Sequence, residues 1–410
     1  MLLRMEDTDK ERSKKEFEEN ILEGLDWLGI EHEGEIFRQS ERTEIYKKYL
    51  QKLIDNGLAY EAEENKEATG KVVRFKNPGK EVIFNDLIRG EIKVDISDLG
   101  DFVIARSMDE PLYHLAVVID DAESEVTHIL RGEDGLSNTP RQIALQEALG
   151  FETPIYAHIP FILGPDKSKL SKRHGAKSVL EYQKAGFLAE AVLNFLAMLG
   201  WRSKTDDEKE IWTLDELIED FDINGIQKSP AVFNEEKLLW INKEHLKKLS
   251  DDEYWSSLLD FAGADLREAL ATKHVKDALL QDTRERLSVY SEINKMQDAG
   301  EFNWLLKDEI ELNAEDLIWK KSSKEETERH LGKLLEILCD PKLGDLNKER
   351  AEELIMPYAE QEGKGDVLWP LRYALSGQKR SPNPFILIAA LGKDKTCSRI
   401  KYALEALQKS

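Results

Sequence analysis

The densest chemical signal in this 410-residue chain is Lys169-Leu-Ser-Lys-Arg173, preceded by Leu163-Gly-Pro-Asp166 and followed by His174-Gly175. Two lysines three residues apart, on a loop that comes after a strand, can both reach one polyphosphate. Phosphoryl or nucleotidyl transfer is mostly positioning plus charge stabilisation, so such a pair suits it. The bare spacing also fits a solvated basic loop, and only its context separates the two. Glu6-Asp-Thr-Asp9 places carboxylates directly after the apolar run Met1 to Met5, and Arg131 comes directly after Val126-Thr-His-Ile-Leu130. Both positions read as C-terminal ends of strands. His114, His128 and His158 lie on separate elements without HxxH or HExxH spacing, so they read as structural histidines with satisfied bonds rather than metal ligands.

The elements that must position these groups alternate in type. Ser13-Lys-Lys-Glu16 fits a capping box, and Phe17, Ile21, Leu22, Leu25 and Leu28 fall at helical spacing before Gly29. Ser40 opens a second amphipathic helix through Ile45, Tyr49, Leu53 and Ile54, closed by Gly57. From about Glu61 to Met108 the pattern turns to short strands, Val72 to Phe75, Val82 to Phe84, Ile92 to Val94 and Phe102 to Ile104, which predicts an inserted β module. Val126 to Leu130 is then a strand, Thr139-Pro140 opens a helix ending at Gly150, and Ile155 to Leu163 is another strand. Strands alternating with helices around an insertion predict a split doubly wound domain, which binds ligands at the C-terminal edges of its strands. Beyond Ser178 the chain is almost wholly helical, with Leu193 to Leu199 before Gly200, a second capping box at Thr213-Leu-Asp-Glu216, and amphipathic helices from about Ser250 to the end.

Size alone predicts two to four domains. The chain is 41% hydrophobic and 34% charged, the composition of a soluble globular protein with an unusually charged exterior. No apolar run approaches the roughly 20 residues needed to span a bilayer, and the acidic start is no signal peptide, so the cytoplasm is expected. Cys339 and Cys397 are the only cysteines, which excludes a disulfide framework and leaves a structural zinc site without its thiolates; both are expected as core residues. A net charge of −23 argues against a nonspecific nucleic-acid binder. It leaves room for local basic patches, because steering depends on local potential.

Several segments share one resemblance. Leu3-Arg-Met-Glu-Asp-Thr-Asp9, Phe37-Arg-Gln-Ser-Glu-Arg42, Phe84-Asn-Asp-Leu-Ile-Arg-Gly-Glu91, Leu112-Tyr-His-Leu-Ala116 with Asp120-Asp121, Thr127 to Asp134, Ser137 to Gln142 and the Lys169 segment resemble the bacterial-type glutamyl-tRNA synthetases, class I aminoacyl-tRNA synthetases. Leu371 to Gly377, Pro384-Phe385 and Leu391-Gly392 resemble their terminal helical anticodon-binding domain. The resemblance implies an α/β N-terminal half followed by an all-α C-terminal half. Residues 1–60 and 109–165 would form the nucleotide-binding domain, 61–108 an α+β acceptor-stem insertion, 166–248 a stem-contact domain with the KLSKR loop, and 249–410 the anticodon-binding domain.

By position, the resemblance implies that Glu6 holds the α-ammonium of L-glutamate while Arg131 and Tyr113 read its side-chain carboxylate. A fork-shaped guanidinium suits a carboxylate, and a carboxylate suits an ammonium. Lys169 and Lys172 would be catalytic, with Leu170, Ser171 and Asp134 completing the ATP site. Gly135 stands where the family has a bulkier residue, so adenine stacking from there is not expected. The implied reaction takes ATP as its Mg2+ complex, glutamate and tRNA(Glu), with tRNA needed for the first step. A monomer is implied, without a membrane partner and without zinc. Family members begin with a strand and a His-x-Gly-His turn that precede this sequence. In the order 3-2-1-4-5 that strand is central, so its absence is expected to split the sheet, and the native polypeptide is expected to continue upstream. The alternative is a catalytically inactive tRNA-binding fragment or paralogue. The helical region from Ser250 disfavours a glutaminyl enzyme, which ends in β-barrels, and the short queuosine-modifying relative, which lacks an anticodon domain.

Overall fold

The structure, a computed structural model, describes residues 2–9, 13–63, 71–171, 177–206, 208–320 and 322–409. The chain divides into two compact units, Met1–Gln183 with Ala189–Ile241, and Lys184–Leu188 with Asn242–Ser410.

The first unit opens with β1 (Arg4–Met5), α1 (Lys15–Trp27), β2 (Phe37–Arg38) and α2 (Thr43–Asp55). β1 and β2 pair in parallel as a two-stranded sheet. The expected cap at Ser13 does not form: Lys14 is the N-cap of α1, without a side-chain bond, and the Ser13 N–H donates to the Asp9 carbonyl instead. Nor does Ser40 open α2. It sits in a short 3₁₀ turn, Gln39–Glu41, because Asp7 accepts both its N–H and its hydroxyl at 2.8 and 2.6 Å. Tyr46, Leu50 and Leu53 form the buried stripe of α2, at the spacing that keeps one helix face inward.

Next come β3 (Ala59–Glu63), β4 (Lys71–Phe75), β5 (Glu81–Asp86), β6 (Gly90–Asp95), β7 (Phe102–Ser107) and β8 (Glu110–Pro111). They do not make one self-contained insertion. β3, β4, β7 and β8 form an antiparallel sheet, whereas the β5–β6 hairpin joins β9 (His128–Gly132) and β10 (Ile155–Ile159) in a four-stranded sheet of order β6-β5-β10-β9. Asp86 ends β5 opposite Tyr156, and the Leu87 N–H donates to the Tyr156 carbonyl. The strand expected over 155–163 is broken at Pro160, which cannot donate to a ladder. Beyond the break, β11 (Ile162–Leu163) pairs instead with β12 (Ala231–Val232).

Two helices fill the centre of this unit. α3 (Tyr113–Glu123) is buried continuously from Leu115 to Asp121, the pattern of a helix enclosed on most sides. α4 (Thr139–Leu149) has proline at its start and ends at Gly150, whose φ of 74° makes the left-handed cap. The capping box at Thr213 forms as expected, with Glu216 bonding back.

The second unit is helical from Asp251–Phe261 to the closing helix Pro384–Lys409, which breaks at Gly392 (φ 75°). Its core gathers Tyr254, Trp304, Leu331, Leu371 and Leu387 among others. Arg399, 4% exposed, donates to the carbonyls of Trp304, Leu375 and Lys307 at 2.6–2.8 Å. It satisfies orphan carbonyls at the ends of the helices Asn303–Leu306 and Lys364–Ser376. Cys339 and Cys397, expected as independent core residues, are only half-buried and are joined as a disulfide across 58 residues of sequence. They lie where the helix Lys324–Leu338 ends against the closing helix, a proximity that composition cannot reveal.

Loop closure of that length removes about 4 kcal/mol from the unfolded ensemble. Reduction should therefore destabilise the second unit by about 2–4 kcal/mol, read as a lower urea midpoint in dithiothreitol, and Cys397→Ser should abolish the response to reductant. Equal midpoints with and without reductant would show that the link contributes nothing.

Candidate active site

The motifs Leu3 to Asp9 and Phe37 to Arg42 are joined to α3 by two adjacent acids. Arg4 donates to Asp121 at 2.7 Å and to Glu6 at 3.2 Å. Asp120 has no exposed surface and accepts from Gln39 (2.8 Å), Arg42 (2.9 Å) and the Tyr46 hydroxyl (2.7 Å). Burial raises the Asp121 carboxyl above the usual carboxylate range, against the pull of Arg4. Glu6 itself is 41% exposed at its side chain and turns its carboxylate to solvent beside Arg4.

On the other side stands Arg131, at the C-terminal end of β9. Its Nη2 donates to Gly135 O (3.1 Å), Thr139 Oγ1 (2.8 Å) and Gln142 Oε1 (2.7 Å), and its Nε to His158 Nε2 (3.1 Å). Among the described residues Nη1 has no hydrogen-bond partner. Gly135 has a physical use here: a Cβ added to it would stand 2.5 Å from Arg131 Nε, so the missing side chain leaves the space the guanidinium occupies. Burial raises the Tyr156 hydroxyl to about 12, and its surroundings include the charges of Arg131 and Asp121 and the Tyr113 hydroxyl. These groups share one electrostatic neighbourhood at the strand ends.

Lys169 lies on a hairpin whose other arm is β11. Leu163 bridges Lys169, Leu170 N–H donates to Ile162 O, and Lys167 takes the positive φ that tightens the turn. The Lys169 side chain is 61% exposed, with its ammonium 4.1 Å from the Phe161 ring centre and 4.0 Å from Asp134 Oδ2. Leu170 and Lys169 line an apolar cavity of about 660 Å³ with Ile159, Ile162 and Trp201. Tyr113 does not line that cavity; with Thr8, Asp9, Ser40 and Arg106 it borders a polar one of about 410 Å³. The structure thus gathers Lys169 with Asp134, and Arg4 with Glu6 and Asp121, while Lys172 lies outside the described residues.

His158 is fully buried, held by Asp86 at 2.6 Å and by Arg131. His128 faces Thr127 Oγ1 at 2.9 Å. His114 departs from expectation: its Nδ1 is buried and has no hydrogen-bond partner among the described residues. Sequence reasoning also gave no role to Asp86, Asp120 or Asp121, although Phe84 to Glu91 and Asp120-Asp121 were visible as motifs.

With this geometry in place, likeness to known proteins becomes informative. Residues 1–71 and 64–240 match the family described as tRNA synthetases class I (E and Q), catalytic domain, and residues 237–404 match an anticodon binding domain. The chain belongs to the class I E and Q tRNA synthetases. It is therefore an aminoacyl-tRNA synthetase, a ligase by enzyme class. The chain is 39% identical to the glutamate–tRNA ligase of Aquifex aeolicus, with 99% of this chain and 92% of that protein aligned. It is 36% identical to that of Nitratidesulfovibrio vulgaris (strain Hildenborough), over 98% and 91%. A crystal structure of a glutamate tRNA ligase from Elizabethkingia meningosepticum in complex with its amino acid superposes with a TM-score of 0.84 at 29% identity, covering 99% of this chain and 92% of that one. Glutamate–tRNA ligation is the activity these likenesses support. This synthetase also has, among its described residues, no helix long and apolar enough to cross a membrane.

The buried polar groups of this synthetase should leave two measurable signatures. Asp120→Ala leaves three donors facing a void and should cost about 3–5 kcal/mol in urea unfolding; a loss under about 1 kcal/mol would remove Asp120 from its central place. Burial lowers the His158 and His114 imidazoles below the ordinary 6.5, with the Asp86 carboxylate opposing this at His158 and the Arg141 and Arg131 charges adding to it at His114. The unfolded chain then takes up protons that the folded one refuses. The stability these groups contribute is complete above 6.5 and is lost as pH falls towards their depressed values. His158→Gln should flatten the dependence of unfolding free energy on pH between about pH 7 and about pH 5.5.

Proposed function

We propose that the chain activates L-glutamate with ATP and transfers it to the terminal adenosine of tRNA(Glu), acting as a cytoplasmic monomer. What supports this is that Lys169 meets Asp134, three residues after Arg131 at the end of β9, beside a cavity that Lys169 and Leu170 line. Arg131 meets the side-chain carboxylate of glutamate through Nη1, and Tyr113 adds a hydroxyl contact. Glu6, held by Arg4, takes the α-ammonium. With these ends fixed, the α-carboxylate attacks the α-phosphate of ATP, supplied as its Mg2+ complex, and pyrophosphate leaves. Lys169 and Lys172 offset charge that grows on the phosphates, where a preorganised cation acts most strongly. Leu170 and Ser171 continue the same hairpin, Leu170 giving adenine an apolar wall in the cavity beside Lys169. Asp134 holds the Lys169 ammonium over the strand ends until phosphate replaces it. In the second step a ribose hydroxyl of the terminal adenosine attacks the acyl carbon, gives up its proton, and AMP leaves.

Purified chain incubated with tRNA(Glu), ATP and labelled glutamate should yield acid-precipitable glutamyl-tRNA; binding of tRNA without glutamylation would reject the proposal. Lys169→Ala should lower kcat for glutamate-dependent pyrophosphate exchange, measured with tRNA(Glu) present, by roughly 10²–10³-fold, with a smaller change in the KM for glutamate. A change in KM alone would place Lys169 in ground-state binding only.

A further inference from the structure

Arg131 is gripped by a buried relay that starts outside its own strand, in the β5–β6 hairpin. Asp86, 1% exposed, accepts the Ile88 and Arg89 N–H groups on Oδ1 at 3.0 and 2.8 Å, and the His158 imidazole Nδ1–H on Oδ2 at 2.6 Å. His158, with no exposed surface, then presents Nε2 to the Arg131 Nε–H at 3.1 Å. We propose that Asp86 and His158 are positioning residues that set the plane of the Arg131 guanidinium and thereby the preference for glutamate over its uncharged amide. This rests on Arg131 reading the side-chain carboxylate.

Two groups stand 3.1 Å from His158 Nε2, the Arg131 Nε–H and the Thr139 hydroxyl, and one arrangement of protons serves Asp86 and Arg131 together. An ionised carboxylate only accepts, so His158 must carry its proton on Nδ1, and a neutral imidazole then leaves a lone pair on Nε2. That lone pair is what the Arg131 Nε–H requires. An imidazolium, or the opposite tautomer, would set an N–H against the Arg131 Nε–H and leave Thr139 Oγ1 as the acceptor in its place, which breaks the bond to Arg131. The surroundings favour the needed state: burial lowers the His158 imidazole despite Asp86. Hydrogen bonds from Arg89 N–H and from His158 hold Asp86 below the usual carboxylate range, although burial, the largest single influence, opposes them.

The geometry explains why this contact sets a plane. All three other bonds of Arg131 converge on Nη2. A planar group held at one corner can pivot; held at Nη2 and Nε it cannot, and its free Nη1 edge points in one direction. Recognition of a carboxylate by a guanidinium is directional, so a pivoting fork loses discrimination before it loses all affinity.

Substitutions can separate positioning from mere packing. Asp86→Asn can keep its carbonyl on the Ile88 and Arg89 N–H groups while its amide donates to His158 Nδ1, which moves the imidazole proton to Nε2 and opposes Arg131. His158→Asn keeps a donor for Asp86 but offers nothing to Arg131, whereas His158→Gln can return a carbonyl oxygen near the place of Nε2. Equilibrium binding of L-glutamate and L-glutamine to the full chain, with thermal midpoints as a control for folding, should show the glutamate-to-glutamine affinity ratio falling about tenfold in Asp86→Asn and His158→Asn. His158→Gln should recover most of it, and Arg131→Gln should abolish it. An unchanged ratio in the first two variants, with Arg131→Gln still collapsing it, would overturn the relay and leave the role of Arg131 intact. An unchanged ratio in Arg131→Gln would overturn both. Should the variants not fold, nitrogen-15 histidine NMR of the unsubstituted chain decides: His158 as the Nδ1–H tautomer at neutral pH supports the relay, and an Nε2–H tautomer or an imidazolium overturns it.

Discussion

Two adjacent acids on one buried helix are the constraint on which the first unit depends. Asp120 and Asp121 sit near the end of α3, where water cannot solvate them, so their charges must be met by protein donors. Asp120 is met by Gln39, Arg42 and Tyr46; Asp121 is met by Arg4. Those donors belong to the two short motifs near the start of the sequence and to the helix after them. Asp7, between them, locks Ser40. The parallel pair β1–β2 is only two residues long on each strand, too little backbone pairing to hold itself. The side-chain bonds to α3 and between the motifs hold it, and they fix where Glu6 emerges.

A similar logic governs the other side of the site. β9 and β10 run parallel in register from His128 to Gly132, and β5 adds only the single pairing of Asp86 with Tyr156. The hairpin is therefore anchored by buried charge as much as by backbone: Asp86 on His158, and Arg89 on Glu133, whose other oxygen accepts the Phe161 N–H. The segment Phe84 to Glu91 thus couples the inserted strands to the strand ends that carry Arg131 and lead to Lys169.

Much of the architecture was legible because it depends on local periodicity. The strands of the insertion, the helix after Thr139 and the Thr213 cap need only neighbouring residues to be specified, and the motifs led to the family and to its likeness with glutamate–tRNA ligases. What was not legible is long-range. Ser13 looks like a cap until Asp9 takes its N–H. Cys339 and Cys397 look independent until helices separated by dozens of residues meet. The β5–β6 hairpin looks like part of the insertion until Asp86 is seen against His158. Within the site, the family resemblance pointed to Glu6, Tyr113, Arg131 and Lys169, but only the structure reveals that Tyr113 faces a polar cavity and Lys169 an apolar one. The net charge of −23 is likewise uninformative about place, since Lys169 stands beside Asp134 at the end of β9 whatever the total.

A crystal structure of the chain with a non-hydrolysable glutamyl-adenylate analogue tests the central claim most directly. The account predicts the side-chain carboxylate on Arg131 Nη1 within hydrogen-bond distance, the α-ammonium at Glu6, the phosphate beside Lys169, and His158 still bonded to Arg131 Nε. A ligand whose side-chain carboxylate is held by other residues, with Arg131 keeping only its internal bonds, would contradict it.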